Sequence, residues 1–99
     1  MLKQAHLYIK GDVIGVGFRA WTKIQAKILG VTGWIKNVNN HPDIYGVGGG
    51  VEALIQGTDD KVNQTISLIK KGPPVSQVTG VEIFWQEPKK IIDKFEIIK

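Results

Sequence analysis

The sequence alternates between two hydrophobic periodicities, and this alternation limits the folds that the chain can adopt. Apolar residues at every second position predict strands over 6–10, 33–38, 51–56, 78–86 and 91–98. Apolar residues at every third or fourth position predict a helix over 19–29 and another from about residue 58 to residue 71. Glycines, together with the sequence Gly72-Pro73-Pro74, separate these segments. The predicted order is therefore β-α-β-β-α-β, followed by a short C-terminal strand.

This order predicts the fold class. Each predicted strand has one apolar face, which is typical of an antiparallel sheet covered by helices on one side only. We therefore predict an α+β fold, the ferredoxin-like β-α-β-β-α-β sandwich, with an antiparallel sheet and two helices on one face. The 99 residues contain no internal linker or repeat, which predicts a single domain over 1–99.

Each predicted helix has a candidate apolar face. In the first helix, the i, i+3, i+7 spacing marks a face made up of Trp21, Ile24 and Ile28. In the second helix, the buried stripe is predicted to consist of Val62, Ile66 and Ile69. Thr58 stands where a side chain can cap the free N–H groups of the helix start. Between the second and third strands, residues 38–50 predict a long hairpin loop.

Composition excludes several classes of protein. The absence of cysteine excludes a disulfide scaffold, a thiolate zinc site and a cysteine nucleophile. Neither a signal peptide nor a membrane span is predicted, so we expect a cytoplasmic protein with no membrane partner. The net charge of +4 is spread along the chain, whereas nucleic-acid binders concentrate their charge, so we expect no nucleic-acid partner. No residues have metal-ligand spacing, and no motif joins His6 or His41 to a serine or carboxylate.

A glycine-rich segment at 11–19 lies between the first strand and the first helix. Gly15 and Gly17 can adopt backbone angles closed to other residues, so that successive N–H groups form an anion-binding nest. Arg19 is the only arginine among thirteen basic residues, and it lies at the predicted positive end of the helix. Its planar guanidinium can hold an oxyanion with two parallel hydrogen bonds. The segment therefore predicts a phosphate site, although the glycines alone are also compatible with a simple turn.

The same segment matches the dinucleotide fingerprint G-x-G-x-x-G/A in its letters. That fingerprint requires an acidic residue about twenty positions further on, where this chain has asparagines and then Asp43. The chain is also too short for a doubly wound sheet. A Walker P-loop is excluded as well, because no Gly-Lys-Ser/Thr follows the glycines.

Two motifs resemble those of a known family. The segment Gly11-x-Val13-x-Gly15-Val16-Gly17-Phe18-Arg19 resembles the acylphosphatase signature, and residues 33–37 resemble the second motif of that family. The resemblance spans nearly the whole chain and implies hydrolysis of small acyl phosphates without metal or cofactor. It implies Arg19 and Asn37 as catalytic residues, with Asn37 positioning the attacking water. The phosphate-binding residues that it implies are Ile14, Gly15, Val16, Gly17, Phe18 and Arg19.

The resemblance carries further expectations. Inorganic phosphate or sulfate would compete for the site, and the protein would be a monomer. Ile14 stands where the family usually has glutamine, so a polar side-chain contact would be lost. The 38–50 loop is longer than is usual in the family. It is either a tolerated surface insertion or a segment that brings Ile44 and Tyr45 near the phosphate site.

Two other functions stay open on the sequence alone. The chain could be a non-catalytic ferredoxin-like module that binds RNA or a protein, with aromatic residues on the open sheet face. Against this, Tyr8 is the only Phe, Tyr or Trp of the predicted first strand, and the third strand has none. The chain could also be a module of a larger carbamoyl-transfer system, which a free-standing 99-residue chain with both motifs argues against.

Overall fold

In a computed structural model, which describes residues 1–46 and 48–98, the chain forms five strands and three helices. In chain order these elements are β1 (Leu2–Asp12), α1 (Phe18–Leu29), β2 (Thr32–Val38), α2 (Pro42–Tyr45), β3 (Gly50–Thr58), α3 (Asp59–Lys71), β4 (Gln77–Gln86) and β5 (Phe95–Ile97). The predicted β-α-β-β-α-β order is confirmed, and the predicted hairpin loop contains the four-residue helix α2. Within the described residues, no helix is long and apolar enough to cross a membrane.

The strands form one sheet in the order β4-β1-β3-β2-β5. β1 pairs antiparallel with β3 and β4, and β2 pairs antiparallel with β3. The predicted antiparallel sheet is confirmed for these four strands, and the C-terminal strand β5 extends its edge by pairing parallel with β2. The reason lies in the chain path: β4 ends at Gln86, at the end of the sheet where β2 begins. The chain therefore crosses that end of the sheet and enters β5 in the direction of β2.

The core lies between one face of the sheet and the two long helices. The central strands bury alternate residues there, namely Ala5, Leu7 and Ile9 of β1 and Val51, Ala53 and Ile55 of β3. The predicted stripe of α3 is confirmed, since Val62, Ile66 and Ile69 are all buried. Thr58 occupies the cap position of α3, but its hydroxyl donates to Asp60 Oδ1 at 3.2 Å rather than accepting a backbone N–H bond.

The predicted apolar face of α1 is wrong at Ile24 and Ile28, whereas its third residue, Trp21, packs against the core as predicted. Ile24 and Ile28 are 57% and 74% exposed, and the helix instead buries Phe18, Thr22 and Ala26. Successive helical residues lie about 100° apart, so a face centred on Thr22 places Ile24 nearly opposite the sheet. The Thr22 hydroxyl donates to Phe18 O at 2.8 Å, which allows this polar side chain to be buried.

The C-terminal strand is shorter than predicted, covering Phe95–Ile97 rather than 91–98. Lys90 and Ile92, which precede this strand, form hydrogen bonds with the Gln56 side chain instead of pairing with a neighbouring strand. Buried Gln56 donates to Lys90 O and to Gln4 Oε1, at 2.8 and 3.0 Å, and its own Oε1 accepts from Ile92 N at 2.8 Å. The Gln56 amide thus holds the segment between β4 and β5, which crosses the end of the sheet, against the sheet.

Candidate active site

A tight turn joins β1 to α1. Gly15 and Gly17 have φ angles of 78° and 77°, in the left-handed region that favours glycine. A Cβ added at either glycine would meet no atom within 4 Å, so the backbone conformation rather than lack of space calls for glycine. Val13, at 1% exposed, anchors the start of the turn in the core.

The start of α1 carries no compensating negative charge. Gly17 is the N-cap residue and provides no side-chain cap, and the first turn of the helix contains no acidic residue. The Trp21 N–H donates to Gly17 O at 3.0 Å, while the preceding N–H groups of the first turn have no acceptor within the helix. This end of α1 therefore presents free donors and the positive end of the helix dipole.

A cavity of about 160 Å³ opens at this helix end. Its lining residues are Val13, Gly15, Gly17, Phe18, Arg19, Ala20, Asn37 and Ile97. The fold thus brings together the turn, the helix start, the end of β2 and the end of β5. Of the residues predicted from the sequence, Gly15, Gly17, Phe18, Arg19 and Asn37 line the cavity. Ile14 and Val16 are not among its lining residues.

Asn37 reaches the cavity from the end of β2. It pairs with Val51 of β3 in the sheet ladder. Its Oδ1 is buried and has no hydrogen-bond partner among the described residues. An unpaired buried acceptor costs about 1–3 kcal/mol, so the amide does not owe its place to a hydrogen bond that stabilises the fold.

Arg19 is half-buried in the first turn of α1. Within residues 1–46 and 48–98, no carboxylate forms an ion pair with it. Asp12, the acidic residue nearest in sequence, is exposed and does not line the cavity. The guanidinium thus brings positive charge to the cavity together with the free N–H groups.

The 38–50 loop is connected to the turn through Ile14. A Cβ added at Gly49 would lie 3.1 Å from Ile14 Cδ1, so the isoleucine side chain packs towards the loop. Tyr45 lies against Tyr8, with ring centroids 6.2 Å apart, and burial raises the pKa of its hydroxyl. None of the described loop residues lines the cavity, which favours a surface insertion over a segment that controls access. Val47 lies outside the described residues.

Two features of the structure were not predicted from the sequence. His6 Nε2 lies 2.5 Å from Glu52 Oε2 on the open sheet face, so this histidine does have a carboxylate partner, although neither residue lines the cavity. Ile97 lines the cavity although it belongs to neither motif. No pattern in the sequence indicates this, because it depends on the parallel pairing of β5 with β2.

Comparison with known proteins identifies the family. The acylphosphatase sequence model matches residues 5–97. The acylphosphatase of Thermococcus kodakarensis is 41% identical over 95 residues, which cover 96% of this chain and 94% of that protein. That of Syntrophobacter fumaroxidans is 40% identical over 95 residues, with 96% and 90% covered. The crystal structure of the Bacillus subtilis acylphosphatase superposes with a TM-score of 0.86 at 28% identity over the whole of both chains.

The ferredoxin-like fold and these similarities define a hydrolase that acts on acid anhydrides. The chain belongs to the acylphosphatase family.

Proposed function

We propose that the chain hydrolyses the carboxyl–phosphate bond of small acyl phosphates in the cavity at the start of α1. One observation carries this proposal. A single cavity is lined by an uncapped helix start, by Arg19 and by the Asn37 amide, whose buried Oδ1 lacks a partner among the described residues. Family membership supports acyl phosphates as the substrate class.

The phosphoryl group would be held by the turn and by Arg19. Free N–H groups at the helix start donate to its oxygens, and the guanidinium donates through two parallel hydrogen bonds. Phosphoryl transfer through a loose transition state depends mainly on positioning and charge stabilisation. The proposed site supplies both, because its donors are fixed by the backbone before the substrate arrives.

Asn37 would position the attacking water. Its Oδ1 accepts a hydrogen bond from the water, whose oxygen then attacks phosphorus opposite the carboxylate. The new P–O bond forms as the bond to the carboxylate oxygen breaks, and a phosphate oxygen takes the proton of the water. A carboxylate is a good leaving group, so the reaction needs no strong acid.

The remaining expectations follow from the same site. Arg19 and the helix start provide the positive charge, so we propose that hydrolysis requires no metal, and that phosphate and sulfate compete with the substrate. We also propose that the protein is active as a monomer. The absence of cysteine suits a reducing compartment such as the cytoplasm.

The test is release of carboxylate and phosphate from benzoyl phosphate in the presence of EDTA. We expect turnover by the wild type and a loss of about 10²–10³-fold in both Arg19→Ala and Asn37→Ala. Lys23→Ala is the matched control, since it removes a cation from the same helix but does not touch the cavity. Full dependence on a metal, or normal turnover in either cavity variant, would contradict the corresponding part of the proposal.

The open sheet face supports the alternative, an RNA-binding module, less well than the cavity supports hydrolysis. Aromatic rings do cluster there, with His6 and Tyr8 stacked at 5.0 Å and Phe84 at 5.6 Å from Tyr8. The same face carries Glu52 and Glu82, which pair with its lysines at 3.8 and 3.0 Å. Carboxylates beside the rings repel a phosphate backbone. Salt-dependent RNA binding without any hydrolysis would favour the alternative.

A further inference from the structure

The end of β5 forms one wall of the candidate active site. Phe95 and Ile97 pair with Gly33 and Ile35 of β2, and both side chains lie on the helix-covered side of the sheet. Phe95 is buried in the core, whereas Ile97 is 37% exposed and lines the cavity beside Arg19 and Asn37. The parallel pairing of β5 therefore fixes an aliphatic side chain next to the polar groups of the site.

The cavity is too small to enclose both the phosphoryl group and the acyl group of a substrate. Its volume of about 160 Å³ is well below the roughly 300–1,000 Å³ of pockets that enclose a whole small-molecule ligand. The cavity suits a phosphoryl group, so a bulky acyl group has to extend across the rim. What the acyl group meets there depends on which lining residues remain exposed.

Ile97 is the apolar residue best placed to meet the acyl group. Val13 and Phe18 also line the cavity, but each is only 1% exposed and offers little surface to a ligand. Ala20 is exposed but small. Ile97 is thus the large apolar side chain with free surface at the rim, and hydrocarbon laid against it leaves water.

We propose that Ile97 determines acyl-group specificity by providing the apolar surface against which the hydrocarbon of the substrate lies. The inference rests on the proposed function. Acyl phosphates with an aromatic or branched acyl group then gain a contact that acetyl phosphate is too short to make fully. In a closed pocket, the loss of one apolar contact changes the discrimination between two substrates by about 10–200-fold. Because Ile97 lies at a partly exposed rim, we expect an effect at the low end of that range.

The experiment compares kcat/KM for benzoyl phosphate and acetyl phosphate in the full chain. Ile97→Thr keeps the β-branched shape that favours a strand but removes apolar surface. We expect the benzoyl-to-acetyl ratio to fall about tenfold, mainly through KM for benzoyl phosphate, because the contact is made equally in the ground state and the transition state. Ile98→Thr is the matched control: Ile98 is 39% exposed, neighbours Ile97 and does not line the cavity.

Each outcome decides the inference. An unchanged ratio in Ile97→Thr, or an equal fall in Ile98→Thr, overturns the role of Ile97 while leaving the proposed function intact. Hydrolysis of neither substrate by the wild type overturns both. Should Ile97→Thr fail to fold, Ile97→Phe provides the second measurement, because an aromatic residue also favours a strand and enlarges the apolar surface. Its benzoyl-to-acetyl ratio is expected to exceed that of the wild type, and an equal or lower ratio overturns the inference.

Discussion

Arg19 combines a positive charge with a planar arrangement of donors, and these two properties can be separated experimentally. Lysine keeps the charge but offers a single ammonium group that cannot form two parallel hydrogen bonds to a phosphoryl group. We expect Arg19→Lys to lower kcat/KM for benzoyl phosphate by about 10²-fold or more. The measurement is steady-state hydrolysis, with Lys23→Arg as the reciprocal exchange elsewhere on α1. Activity within a few-fold of the wild type in Arg19→Lys would show that charge alone suffices.

Asn37 allows a test of whether its side chain serves the reaction or the fold. Its buried Oδ1 has no partner among the described residues, so an apolar side chain of similar size removes an unpaired acceptor. We expect Asn37→Leu to abolish most activity while the free energy of unfolding stays equal or rises by about 1 kcal/mol. Urea unfolding followed by circular dichroism measures the second quantity. A clear loss of stability would mean that Asn37 has a structural role.

At the scale of elements, the turn and the helix that it starts act as one unit. Gly17 and Gly30 flank α1 with nearly equal left-handed angles, φ 77° and 75°. A Cβ added at either position would meet no other atom within 4 Å. Alanine at either position therefore costs about 1–2 kcal/mol of backbone strain. Only Gly17 lies at the cavity.

We accordingly expect Gly17→Ala and Gly30→Ala to lose similar stability in urea unfolding, but only Gly17→Ala to lose activity beyond the effect of unfolding. This comparison separates the geometry of the turn from general destabilisation. Equal activity losses in the two variants, measured well below the unfolding transition, would mean that the turn does not hold the substrate.

The element scale also shows where sequence prediction succeeds and where it fails. The periodicities located both long helices and four of the five strands to within a few residues, because strands and helices with one buried face carry a clear pattern. The buried face of α1 was misassigned because its centre is occupied by Thr22 and Ala26. These two side chains are less hydrophobic than the exposed Ile24 and Ile28. A hydroxyl bonded within the helix and a small side chain let α1 approach the sheet, and neither property is visible in a hydrophobic pattern.

At the scale of the whole molecule, the candidate site depends on residues that are distant in sequence. The glycine-rich turn and Asn37 were predicted because each belongs to a local motif, and the topology places them at the same end of the sheet. Ile97 could not be predicted, because its position follows from the crossing of the chain after β4 and the parallel pairing of β5. The Gln56 amide that fastens this crossing is likewise a tertiary feature, since its partners lie up to 52 residues away in sequence.

Ligand binding at this site couples to the stability of the whole domain. Phosphate that binds only the folded chain stabilises it by RT ln(1 + [L]/Kd), which is about 1.4 kcal/mol at ten times Kd. For a domain of this size, that raises Tm by about 6–11 °C. Phosphate also stabilises proteins generally by exclusion from their surface, so Arg19→Lys in the same buffer is the control, since it keeps the general effect but loses the two parallel hydrogen bonds of the guanidinium. We therefore expect a Tm shift that saturates with phosphate concentration in the wild type and a smaller shift that needs more phosphate in Arg19→Lys, both measured by thermal unfolding. Identical curves for the two proteins would place any phosphate site away from Arg19.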